Sequence, residues 1–419
     1  MEYNGNPGPS WLMLDVSDRF VRLCGEVGNF TERTTGVSIV DAYFGPDRCS
    51  PSKQPHDRDP EVVLSELGAL QDEIAGQVVP RLRREYLLGE AGSIEAAMRW
   101  LFRDDLSYLK LVRTLFKISA RKFSEKAVDK MIEAVDQSLS WVEGLTLLER
   151  VRRFTQEGEV SGEALKTAID SELQPMSYKI ASSFQDRVYS LFQGAVIDNG
   201  VLYETARDQP WSGYNYYKGS FKSVNQFNID RKLNRDSLLS VAYHEYEHHV
   251  ANLWREKAYL ENGYLELAIV PLHTGRSVIS EGSADSARDF LGVNDNSPRT
   301  TAYDLLYRLR RMVAINTAIM MNHEDCSTGE AESYSAEKGL RTREDARSSL
   351  SFISPKTTDG RPNIWAPYCF TYLIGRTDYV EPTFTRAKEK GKLAEFFRTL
   401  YAEPFSRSSV TWKDSFEWL

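Results

Sequence analysis

The stretch that most constrains this 419-residue chain is Ser240–Val250, which holds three of its six histidines in eleven residues. Within it His244, Glu245 and His248 form an H-E-x-x-H motif. Residues four apart share one face of an α-helix, so His244 and His248 are placed to bind one metal ion together. Glu245, one step round, directs a carboxylate at the open side of that ion, the arrangement needed to activate water. Leu238, Leu239, Val241, Ala242, Val250 and Leu253 supply apolar positions, and Asn234, Asp236 and Ser237 supply capping residues just ahead. The histidines are therefore expected to emerge from a substantially buried helix, where polar groups require partners and a metal is an efficient one. Hydrogen-bonded core histidines are the competing account, which suits a lone histidine better than a pair enclosing a glutamate.

A catalytic zinc site takes three protein ligands and leaves a fourth position open. The candidate third ligand is Glu281, in Ser280–Asp285, 33 residues after His248. Asp285 lies four residues further on and shares its helical face, so it is expected to accept the free ring N–H of one histidine. The competing account of these two acids is a solvated acidic face.

His244-Glu245-x-x-His248 followed by Glu281-x-x-x-Asp285 resembles the gluzincin branch of zinc metallopeptidases. The resemblance implies one zinc per chain bound by His244, His248 and Glu281, with Glu245 as general base and Asp285 supporting a ligand histidine. The wider stretch, from Phe227–Asp230 to Val278–Gly282, also resembles a group of largely helical, bacterial and archaeal metallopeptidase-like proteins. Their motif is longer, with extra residues between the glutamate and a His-His pair; here His248 and His249 follow directly. His249 thus stays a candidate beside the ligands, although it lies about 100° round the helix from His248. In such enzymes a Tyr or His often stabilises the oxyanion. Tyr368 and Tyr372 are the candidates here, with His273 a third, and Arg376, four residues beyond Tyr372, is the candidate for pairing with a substrate carboxylate. The competing account of the 368–376 stretch is an aromatic core face with a surface arginine. Tyrosines at 214–217 are expected to line an edge strand where an extended peptide can pair.

The expected fold is mainly α (α+β): a large helical body with a small sheet beside the metal helix. Three regions are expected, an N-terminal helical region (1–195), a metal-binding core (196–330) and a C-terminal helical region completing the cleft (331–419), integrated into one unit. Helices are predicted over 10–30, from the Asp59-Pro60 start with its stripe Val63, Leu67, Leu70 and Ile74, and from a Ser93 cap to about 117. Another is predicted from a Ser124 cap along Val128, Ile132, Val135, Leu139 and Val142, and a further one over 161–192. Strands are predicted over 195–203, 213–217 and 220–229. Beyond the motif, helices are predicted over 251–270, 280–291, 301–322, 364–379 and 384–401, with a polar, poorly periodic stretch over 324–362.

A net charge of -8 argues against nucleic acid and anionic membranes as partners. Met1–Pro7 lacks a basic segment followed by an apolar one, so no signal peptide is expected. Cys24, Cys49, Cys326 and Cys369 show no C-x-x-C spacing and read as free thiols of a cytoplasmic protein. The expected partner is a short peptide or small amide-bearing substrate. One alternative is a metal-dependent enzyme acting on a small biosynthetic metabolite. Glu245 with His248 is also an E-x-x-H, as in helical di-iron sites, but those require a second E-x-x-H and no other histidine has a glutamate three residues before it. A non-enzymatic scaffold with a structural metal leaves Glu245 and the open three-ligand set unexplained.

Overall fold

The computed structural model describes residues 16–419 apart from residue 78, and it is mainly helical. Met1–Pro7 and the first turns of the helix predicted over 10–30 lie outside the described residues; the described part of that helix is α1 (Val16–Thr35). Asp59 caps the helix Pro60–Gly76 by accepting from the Glu61 N–H, and Val63, Leu67, Leu70 and Ile74 are buried along it. Ser124 caps Glu125–Ser138 in the same way, with Val128 and Val135 buried. Ser93 is no cap. It lies inside Arg81–Arg103, where its hydroxyl donates to the carbonyls of Gly89 and Leu115. The break falls at Asp104, whose left-handed backbone (φ 50°) ends that helix before Tyr108–Phe116 begins.

A three-stranded sheet lies ahead of the motif, and a strand pair not foreseen from the sequence adds two more strands. In chain order, β1 is Val40–Tyr43, β2 is Val201–Ala206, β3 is Gly213–Tyr217 and β4 is Ser223–Asn228. They are followed by α2 (Arg235–Asn262), β5 (Ile269–Pro271), α3 (Gly275–Asp285), α4 (Pro298–Asn322) and α5 (Cys369–Ile374). The three-stranded sheet has the order β2-β4-β3, with β2 parallel and β3 antiparallel to β4. β1 pairs antiparallel with β5, Val40 opposite Pro271, and this ties the N-terminal helices to the connection between α2 and α3. The 324–362 stretch is also more regular than its polarity suggests, with helices at Thr328–Lys338 and Arg343–Leu350.

The apolar interior forms two main clusters, one drawn from residues 16–154 and 265–374, the other chiefly from 165–254 and 380–419. α3 lies on the seam, since Val278 belongs to the first cluster and its neighbour Ile279 to the second. No helix among the described residues is long and apolar enough to cross a membrane.

Candidate metal centre

α2 begins where the Asn234 side chain accepts from the Ser237 N–H at 3.0 Å and ends at Gly263, whose left-handed φ of 71° stops it. Burial on most of its faces leaves its polar side chains in need of partners, and Glu247, Glu256 and His249 find theirs on different sides. Glu247 is fully buried and paired with Arg407, 3.1 Å away, and it also accepts from Tyr401. Glu256 accepts from Tyr217 and from the backbone N–H groups of Ser220 and Phe221. His249 uses both ring nitrogens, Nδ1 on Ser223 Oγ (2.8 Å) and Nε2 on Asp198 (2.9 Å). His249 thus faces the sheet, and His248 faces α3.

α3 lies against α2 and brings Glu281 to the two motif histidines. His244 Nε2 and His248 Nε2 are 3.1 Å apart, and Glu281 Oε2 is 3.2 Å from the first and 3.7 Å from the second. Three ligands at zinc-like bond lengths of about 2.0–2.1 Å and tetrahedral angles are separated by about 3.3 Å. The observed triangle has that size. Glu281 Oε2 is buried without a hydrogen-bond partner, while Oε1 accepts from the Tyr368 hydroxyl at 2.7 Å. An unpartnered buried carboxylate oxygen beside two imidazole nitrogens is the donor set a divalent cation satisfies, so these residues fit the metal. Among the described residues they are the one group of three His, Cys, Asp or Glu side chains close enough to hold an ion.

The surroundings orient this triangle. His244 Nδ1 donates to Asp285 Oδ1 at 2.8 Å, which turns the Nε2 lone pair toward the centre. Asp285 also accepts from the Tyr307 hydroxyl at 3.0 Å, and Arg311 donates to that hydroxyl at 2.8 Å. His248 Nδ1 meets the Ser280 hydroxyl at 3.2 Å. The electrostatics favour a cation here. Burial works against a charged His244 ring, but the adjacent carboxylates of Asp285 and Glu281 outweigh burial and raise its pKa well above the usual range. Burial likewise pushes the Glu281 carboxyl up, and the adjacent His248 and His244 more than reverse it.

Glu245 is buried and lines both cavities at the cluster, one of about 370 Å³ and one of about 70 Å³. Burial pushes its carboxyl above the usual range, with partial relief from His244 and His248, which suits a proton acceptor working near neutral pH. Gly213 on β3 makes room for it: a Cβ there would fall 2.5 Å from Val241 and 3.2 Å from the Glu245 side chain. Tyr372 also lines both cavities, and its ring lies nearly parallel to that of His244, centroids 6.2 Å apart. Burial, reinforced by the Glu281 charge, raises the pKa of Tyr368 and Tyr372 well above normal, so both phenols remain donors. The Tyr368 hydroxyl is engaged by Glu281, whereas the Tyr372 hydroxyl has no carboxylate partner among the described residues.

Three expected residues are placed elsewhere: His249, which turns to Ser223 and Asp198 instead of the cluster, Arg376 and His273. Arg376 pairs with Asp304 (2.6 Å) and Asp289 (3.2 Å) and lines neither cavity. The helix that carries Tyr372 widens into a π-type turn at Gly375–Val380, so the four-residue spacing no longer keeps Arg376 on the tyrosine face. His273 is buried behind Tyr368 with Nε2 on the Ile364 carbonyl at 2.7 Å, and burial pushes its pKa down to about 4. Its neutral ring packs among Phe116, Trp365 and Tyr368. Conversely, Asp41 on β1 lines the smaller cavity and accepts from Tyr214; nothing in the spacing around residue 41 signals this, because it arrives through strand pairing. Arg407, which joins the Glu247 carboxylate of α2 to Ser283 of α3, was equally unmarked in the sequence.

No family model matches this chain, and no curated protein matches it in sequence. Among solved structures it is similar to a protein of Colwellia psychrerythraea described as a "putative lipoprotein", at 14% identity and a TM-score of 0.56, covering 95% of this chain and 70% of that one. That likeness shows a shared fold.

Proposed function

We propose that this protein is a zinc-dependent hydrolase of the gluzincin type that cleaves amide bonds of short peptides. The observation that carries the reading is the convergence of His244 Nε2, His248 Nε2 and the unpartnered Glu281 Oε2, with Glu245 beside them on the wall of the cavity. A zinc ion held there supplies a Lewis acid and water activated at neutral pH. Glu245 takes a proton from the attacking water and passes it to the leaving amine, a role that its raised carboxyl pKa supports. Tyr372 donates to the oxyanion that forms as the carbonyl is attacked. Asp285, held by Tyr307, keeps His244 in the tautomer that presents Nε2. A cavity of about 370 Å³ is at the small end of ligand pockets (about 300–1,000 Å³), which favours short substrates. Four unpaired thiols, three of them buried, support a reducing, cytoplasmic setting.

The test is Glu245→Gln, assayed with the wild type against a panel of short peptides and amide-bearing metabolites. The variant is expected to keep its metal and to lose about 10²–10⁴-fold in kcat. Full activity in the variant would remove Glu245 from the chemistry, and turnover confined to the metabolite arm would replace the peptidase reading.

A further inference from the structure

The larger cavity beside His244 and Glu245 is lined by four arginines, Arg231, Arg310, Arg311 and Arg341, in a chain whose net charge is -8. None of the four forms an ion pair with a carboxylate among the described residues, whereas Arg299, Arg308, Arg376 and Arg407 all do. Their contacts are to neutral groups. Arg231 donates to the Pro210 carbonyl at 2.8 Å and to Ser348 Oγ at 3.3 Å. Arg310 reaches the carbonyls of Gly339 and Leu340 at 3.3 and 3.4 Å. Arg311 lies 4.0 Å over the Tyr372 ring, and no side-chain hydrogen bond of Arg341 is seen among the described residues. The carboxylates lining the same cavity are Glu245 and Asp285, two fewer than the arginines. Asp345 is close enough to act electrostatically on Arg310 and Arg341 without pairing with either. Asp230 and Asp285 act in the same way on Arg231 and Arg311, but half-buried guanidiniums with no paired carboxylate remain costly for a fold. Burial pushes Arg310 down to about 10, and burial together with the charges of Arg310 and Arg311 pushes Arg341 down to about 9.

We infer that this cavity binds a compact group bearing two or more negative charges, carboxylates or a phosphate, and that this group is the end of the substrate beside the scissile amide. The placement of that group on a substrate rests on the hydrolase reading above; the binding itself does not. Guanidiniums offer planar forks of donors matched to both kinds of oxyanion, and the volume of about 370 Å³ limits the occupant to one or two residues in size. Arg311 links this pocket to the centre, since the Tyr372 ring it covers stacks in turn on His244.

The experiment is calorimetric titration of the metal-free full chain with glutarate, inorganic phosphate and the neutral analogue glutaramide. Glutarate or phosphate is expected to bind at least tenfold more tightly than glutaramide, and Arg341→Gln is expected to lose at least tenfold of that affinity while Arg341→Lys retains part of it. Tight glutarate with weak phosphate identifies carboxylates as the ligand, and the reverse identifies phosphate. Arg341 is repelled by its neighbours and forms no ion pair, so Arg341→Gln is also expected to melt no lower than the wild type, which a scaffold residue would not do. Equal affinity for glutaramide, or an Arg341→Gln variant that binds both anions as the wild type does, would overturn the inference. Because no metal is present, loss of anion binding in Arg341→Gln stands even if zinc uptake fails, and zinc-dependent turnover stands even if the anions do not bind.

Discussion

Glu247 lies between Glu245 and His248 in the motif yet points away from the metal cluster. It is wholly buried and balanced by the half-buried Arg407, which also donates to Ser283 at 2.7 Å. One guanidinium thus joins the two helices that carry the ligands. Arg407→Ala would leave a buried carboxylate with only the Tyr401 hydroxyl as partner, and the expected loss is about 3–5 kcal/mol of stability, measured by denaturant unfolding. A loss below about 1 kcal/mol would show that the pair contributes no more than an exposed one. The contrast with Arg341 is instructive. One arginine is tied to a carboxylate and holds the scaffold; the other faces the cavity with no carboxylate paired to it.

Among the elements, the position of α5 against α3 sets the second wall of the site. Their backbones touch: a Cβ on Gly282 would fall 2.3 Å from the Gly375 carbonyl carbon, and a Cβ on Gly375 would fall 1.9 Å from the Val278 carbonyl oxygen. Only two glycines allow this approach, which brings Tyr368 to Glu281 and Tyr372 over His244. Gly375→Ala is therefore expected to push α5 away, cost several kcal/mol of stability and weaken metal binding, since Gly282 directly follows the ligand Glu281. Unchanged melting and unchanged zinc affinity in that variant would contradict this packing. The same contact explains why Arg376 could not be placed from its spacing. A register of four holds only while the turn stays α-helical, and the turn widens at Gly375.

At the scale of the whole molecule, what was legible in the sequence was local. The caps at Asp59, Ser124 and Asn234 and the 213–217 strand are where short-range chemistry puts them. His244, His248 and Glu281 were recoverable because two helices express the site through helical spacing and one carboxylate. Long-range pairing was not legible. β1 meets β5 across more than two hundred residues and carries Asp41 into the cavity, and the four arginines converge from three segments, with Arg310 and Arg311 adjacent on α4. One miss had a signal to find it: Ser327 and Glu330 form a capping box that opens the helix Thr328–Lys338 in the stretch taken for irregular. The hydrolase reading depends on the seam between the two apolar clusters holding an ion. The most direct test is elemental analysis and calorimetric zinc titration of the wild type beside Glu281→Ala. One zinc per wild-type chain is predicted, with affinity at least tenfold weaker in Glu281→Ala. Two irons per chain, no stoichiometric zinc, or a Glu281→Ala variant that binds zinc as tightly as the wild type would contradict it.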